Sequence, residues 1–267
     1  MLRIGCVKYL NALPLIRGWP GEVDFDHPSA LCQRLANGEL DVALVSSFEF
    51  LRNPLYRIVD DVSISSDGPV YSVVLAYCGE LSDIQEIELD PASQTSVHLL
   101  RCLLAELGMN PRLGSAPKAF WAGVGSLPTP HGARLLIGDQ AIAFRQRHAG
   151  EFQFRDLGEQ WKKIAGLPFV YALWLIRPEV VDAKSVAQRL RALRDENLTN
   201  LDDLVSDSVA GGVEQDSRSM TEFLTQYYSE HLRFSFGEAE KQGLEHFAHL
   251  CVRHCVLPRR DRTFTLV

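Results

Sequence analysis

The chain has 267 residues, 46% hydrophobic and 23% charged, enough to bury one large core or two modest lobes. Its net charge of -7 is spread over interspersed acidic and basic residues, which argues against a nucleic-acid surface, where a basic stripe is expected. No apolar run approaches the roughly 20 residues of a membrane span, and Met1-Leu2-Arg3-Ile4-Gly5-Cys6-Val7 reads as strand rather than export signal, so no membrane partner and a cytoplasmic location are expected.

Arg3 to Tyr9 alternates in the manner of a strand and gives way to a turn at Leu10-Asn11. In open α/β sheets ligands bind beyond such strand ends, and Asn11 offers both a donor and an acceptor there; a loop Asn also serves as a local backbone cap. A strand at Glu22 to Phe25 follows, then a helix from Ser29 to Asn37 closed by Gly38, and a third strand from Asp41 to Val45 that runs into Ser46-Ser47. Ser65-Ser66-Asp67-Gly68-Pro69 leads into a strand at Val70 to Ala76, with Ser72 near its start as either a cleft contact or an ordinary strand hydroxyl.

The next strand, Glu86 to Leu89, is followed by Asp90-Pro91-Ala92-Ser93-Gln94-Thr95-Ser96 and a helix from Val97 to Leu107. Hydroxyls beside free N–H groups at a helix start make an anion site without a positive side chain, although Ser93 or Thr95 would equally cap the helix. Residues 110–132 are rich in Gly and Pro and are expected to be irregular. Beyond them, a strand at Arg134 to Ile137 ends in Gly138-Asp139: Gly138 would let the backbone approach a ligand, and Asp139 would cap the helix Gln140 to Arg147 or face the same cleft. A last strand, Phe169 to Ile176, precedes helices at Val180 to Arg194, Ser217 to His231 and Gly237 to Arg253. Short strands alternating with helices predict an α/β protein with mainly parallel strands.

Six cysteines are scattered without a disulfide framework, as in a reducing compartment. Cys251 and Cys255 lie one helical turn apart, but no second pair with zinc-site spacing accompanies them, so no metal is expected. There is no Gly-x-Ser-x-Gly nucleophile motif and no Gly-rich nucleotide or phosphate loop, so no organic cofactor is expected either.

The pieces Val7-Lys8-Tyr9-Leu10-Asn11 with Pro14-Leu15, Gly38-Glu39-Leu40-Asp41-Val42-Ala43-Leu44, and Ser66-Asp67-Gly68-Pro69-Val70 with Ser72-Val73 stand in one order with Leu89-Asp90, Ser93, Thr95 and Ser96. Ile137-Gly138-Asp139, Asp156-Leu157-Gly158, Trp161 and Gly166-Leu167-Pro168-Phe169 complete the set. Together they resemble the chorismate dehydratase family of menaquinone biosynthesis over almost the whole chain. The resemblance implies a two-lobed fold like type 2 periplasmic binding proteins, with a cleft between lobes of residues 1–73 plus 173–267 and 74–172, joined by crossover strands Val70 to Ala76 and Phe169 to Ile176. It also implies chorismate as small-molecule substrate, loss of water as the reaction, Asn11 in catalysis, and Ser72, Ser93, Thr95 and Ser96 in substrate contacts. The chain departs from the family at Ser46-Ser47, where Pro-Ser is usual before the cleft contact at Ser47, and at His131-Gly132-Ala133-Arg134, where an acidic residue is expected. A solute-binding protein for a small carboxylate, or the dihydroxynaphthoate-forming enzyme of the same route, would share the architecture; the absent export signal weighs against the first and Tyr9-Leu10-Asn11 against the second.

Overall fold

The computed structural model describes residues 2–90, 92–115, 131–210, 217–260 and 263–267; most of the stretch expected to be irregular lies outside them. Among the described residues ten strands make two five-stranded sheets. The first contains β1 (Ile4–Val7), β2 (Val23–Asp26), β3 (Val42–Ser46) and β4 (Arg57–Ser66). The second contains β5 (Val73–Tyr77), β6 (Glu86–Leu89), β7 (Arg112–Ser115), β8 (Gly132–Ile137) and β9 (Gln153–Asp156), and the chain then returns to the first sheet as β10 (Phe169–Ile176). The strand orders are β2-β1-β3-β10-β4 and β7-β6-β8-β5-β9.

The two sheets follow one plan. In each, the strand that has just arrived from the other sheet takes the fourth position and runs antiparallel to both neighbours, β5 beside β8 and β9, β10 beside β3 and β4. The sheets are therefore mixed rather than mainly parallel. The strands expected as crossovers are the first ones the chain enters after crossing, each lying in the sheet it enters. Their burial matches this inner placement: every residue of β5 and all but Ala172 of β10 are buried, as strands covered on both faces require.

Helices α1 (Leu13–Ile16), α2 (Pro28–Ala36), α3 (Ser47–Arg52), α4 (Thr95–Glu106), α5 (Gly138–Arg147) and α6 (Leu157–Ala165) follow strands, and α7 (Ala183–Thr199), α8 (Leu201–Ala210), α9 (Ser217–Gln226) and α10 (Glu238–Arg253) make up the C-terminal third. Pro28 opens α2, where its missing N–H costs nothing. Asp156 caps α6 by accepting the Glu159 N–H, and Gly166, at φ +69°, ends it. The helix expected from Ser217 to His231 closes with a π turn over Tyr227–His231, which buries Tyr227 and Tyr228.

One apolar core runs through both sheets. At their junction Phe169 packs against Trp161 and Phe247 with ring centres 5.2 and 5.0 Å apart, all three fully buried. Aromatic contacts of this kind bring large apolar area under cover at the point where the chain returns to the first sheet.

Candidate active site

Between the strand ends of the two sheets lies a cavity lined from both. It owes its shape to the crossing segment before β5. There the Asp156 carboxylate accepts N–H bonds from Val70 (3.1 Å) and Tyr71 (2.7 Å) besides the α6 cap. Tyr71 sits in left-handed backbone (φ +66°), a conformation costly for a bulky residue, under the Arg145 guanidinium 4.1 Å from its ring centre. Ser72 follows at once. Its hydroxyl accepts the Tyr227 O–H at 2.7 Å, and its carbonyl accepts the Gly138 N–H at 2.8 Å.

The first sheet contributes Asn11, on the turn beyond β1, to the cavity wall; its side-chain Oδ1 is buried and has no partner. Gln94, at the start of α4, lines the wall from the second sheet and has a buried, unpartnered Oε1 as well. A buried acceptor left empty costs on the order of 1–3 kcal/mol, so two in one cavity mark places where a ligand donor or water is wanted. Ser93 and Ser96 stand beside Gln94, and the Ser93 hydroxyl accepts the Ser96 N–H at 3.2 Å, so Ser93 is both cap and wall. The α4 and α5 N-termini both reach the cavity, through Thr95 and Gly138, and present first-turn N–H groups there.

Thr95 lines the cavity, yet its hydroxyl is occupied. It donates to the Tyr171 carbonyl (3.1 Å), accepts the Phe48 N–H (3.3 Å) and touches the hydroxyls of Ser46 and Ser47. This knot ties α4 to β3, α3 and β10. Tyr9 and Tyr171 complete the polar wall. Burial pushes both phenols well above their usual range, the nearby Asp90 and Asp139 adding to the effect at Tyr9 and Asp156 at Tyr171.

Six of the eight residues singled out from the sequence, Asn11, Ser72, Ser93, Thr95, Ser96 and Gly138, line this one cavity. Ser47 and Asp139 do not. Ser47 is fully buried behind the wall and donates to the Val170 carbonyl at 2.7 Å; its neighbour Ser46 takes the lining position, as the departure from Pro-Ser at this point allows. Asp139 accepts the Leu10 N–H at 3.0 Å, and burial raises its carboxyl to about 6 against that bond's opposing pull. Gln94 and Tyr171 were missed: the first lay inside the hydroxyl-rich segment without a hydroxyl, and the second sat in an apolar strand. Among the described residues no three His, Cys, Asp or Glu side chains gather as a metal site. Cys251 is fully buried with its sulfur 3.8 Å from that of Cys102, whereas Cys255 is exposed beyond the end of α10.

The paired mixed sheets with a cavity between them define a periplasmic-binding-protein-like fold. The chain superposes on a protein of Archaeoglobus fulgidus with a TM-score of 0.73 at 16% identity, covering 96% of this chain and 98% of that one. It superposes on the periplasmic aliphatic sulphonate binding protein SsuA of Escherichia coli with a TM-score of 0.61 at 14% identity, covering 99% and 95%. Residues 2–253 match the family model described as menaquinone biosynthesis, and the chain belongs to that family. A curated relative, the chorismate dehydratase of Thermus thermophilus, is 31% identical over 263 residues, covering 92% of this chain and 93% of that protein. No helix among the described residues is long and apolar enough to cross a membrane.

Proposed function

We propose that this protein is an enzyme that removes water from chorismate to give 3-[(1-carboxyvinyl)oxy]benzoate, a carbon–oxygen lyase reaction in menaquinone biosynthesis. The observation that carries the reading is the near full-length match to a chorismate dehydratase at 31% identity. The cavity suits the reaction on its own terms. Chorismate brings two carboxylates and a ring hydroxyl; the hydroxyls of Ser93 and Ser96 and the N-termini of α4 and α5 supply donors to carboxylates without a cation. We take the lobes to be built on the two sheets, close to residues 1–73 with 173–267 and residues 74–172, with Phe169 to Ala172 going with the rest of β10 to the first lobe, and the six reduced cysteines to reflect a reducing cytoplasm.

The elimination breaks one ring C–H bond and the C–O bond of the ring hydroxyl. The C–H electron pair becomes the last double bond of the aromatic ring, and the hydroxyl departs as water with one added proton. Conjugation to the ring carboxylate acidifies the departing proton, so donors on that carboxylate stabilise charge as it develops. Among the described residues the cavity wall holds no Asp, Glu, His or Lys side chain. Its two tyrosines are kept protonated by burial. The acceptor of the proton in this reading is therefore the substrate's own side-chain carboxylate, which hands it to the leaving hydroxyl. Asn11 holds that hydroxyl through its empty Oδ1 and fixes the direction of the breaking bond.

Incubating purified protein with chorismate and analysing the mixture by mass spectrometry tests this. Appearance of a product lighter by one water is the expected result. Chorismate that binds tightly and is recovered unchanged would favour a solute receptor on the same fold.

A further inference from the structure

The Leu10 peptide, one residue before Asn11, is held from both sides. Its N–H donates to Asp139 Oδ1 at 3.0 Å, and its carbonyl accepts the Tyr228 O–H at 2.9 Å. The turn itself is closed by the Ala12 N–H on the Tyr9 carbonyl at 3.0 Å. Asn11 Oδ1 has no protein partner, so the acceptor's position rests on the backbone of this turn. Asp139 reaches the turn from the other sheet, from the first turn of α5, and is 129 residues away in sequence. The approach is close because Gly138 precedes it: a Cβ there would stand 3.1 Å from the Tyr9 ring, and Gly138 has a left-handed φ of +58°.

We infer that Asp139 is a positioning residue, whose carboxylate oxygen sets the Leu10–Asn11 turn at the mouth of the cavity and thereby places Asn11 against the substrate. The inference rests on the proposed role of Asn11. It also accounts for a buried carboxylate beside Tyr9, Tyr227 and Tyr228 with no cation paired to it among the described residues. Retaining such a group costs stability, which argues that it serves the site rather than the fold. What the turn needs from Asp139 is an acceptor, which an amide carbonyl also provides.

The test compares wild type, Asp139→Ala and Asp139→Asn in three measurements: hydrogen exchange at the Leu10 amide, chorismate affinity by calorimetry, and single-turnover rate at saturating chorismate. Asp139→Ala is expected to speed exchange at Leu10 and to slow turnover on the order of a hundredfold, the scale of a misplacement near 1 Å, with affinity changed far less. Asp139→Asn is expected to restore both protection and most of the rate. Unchanged exchange at Leu10 in Asp139→Ala would overturn the inference, as would equal loss of rate in the Ala and Asn variants. A wild type that never converts chorismate would instead refute the proposed reaction, while the exchange data would still report on the clasp.

Discussion

Thr95→Ala is the most informative single change for the architecture of the site, because Thr95 lines the cavity yet its hydroxyl is already bonded within the protein. Removing it strips the Phe48 N–H of its acceptor and the Tyr171 carbonyl of a donor, both in buried residues. Each abandoned group costs about 1–3 kcal/mol, partly offset by re-aiming of the adjacent Ser46 and Ser47 hydroxyls. The lost methyl adds about 1 kcal/mol. The variant should therefore be destabilised by about 2–4 kcal/mol, and Thr95→Ser, which keeps the hydroxyl, by about 1 kcal/mol. Urea denaturation of the three proteins measures this directly, with chorismate affinity by calorimetry alongside. A Thr95→Ala protein as stable as wild type but unable to bind chorismate would refute the reasoning and assign the hydroxyl to the ligand.

Asp139 should make stability depend on pH in a defined window. Its folded carboxyl lies at about 6 against a usual 3.8, so the folded state holds the proton more tightly than the unfolded chain. The cost of burying its charge is absent below about pH 4 and complete above about pH 6, reaching up to about 3 kcal/mol. Asp139→Asn should thus gain on wild type as pH rises through that interval, and a stability difference that is flat from pH 4 to 7 would contradict the assignment. Gly138→Ala places a Cβ against the Tyr9 ring at a left-handed φ. It should lower stability by about 1–2 kcal/mol and raise the Michaelis constant as Tyr9 is pushed into the cavity, and denaturation plus steady-state kinetics would show neither if the cavity tolerates the ring's movement.

What the sequence disclosed follows from how locally each feature is encoded. The inner strands β6 and β10 were legible with their ends, β10 because a continuous apolar run leaves little choice and β6 because Glu86-Ile87-Glu88-Leu89 alternates between polar and apolar residues. β4 was not, since Asp60-Asp61 interrupts its apolar run, Asp61 takes a left-handed φ of +64°, and the pairing with β10 shifts register. β7 and β9, at the edges of the second sheet, are Arg112-Leu113-Gly114-Ser115 and Gln153-Phe154-Arg155-Asp156, with one large apolar residue each, so no apolar pattern marks them. In the site, hydroxyls at a helix start and an Asn after a strand were visible because their chemistry is local. Whether Thr95 faces a ligand or a carbonyl 76 residues away, and that Asp139 serves Leu10 rather than the cavity, depend on pairings across the sheets that no local pattern records.

The central claim is that a cavity built around Asn11 takes water out of chorismate. Proton NMR of stoichiometric enzyme and chorismate, for wild type and Asn11→Ala, tests it most directly. The wild type should replace the ring-diene signals with those of an aromatic ring, and Asn11→Ala should bind chorismate but form the aromatic product on the order of a hundredfold more slowly, as for loss of one well-placed transition-state contact. Aromatic product formed equally fast by both proteins, or by neither, would contradict the account.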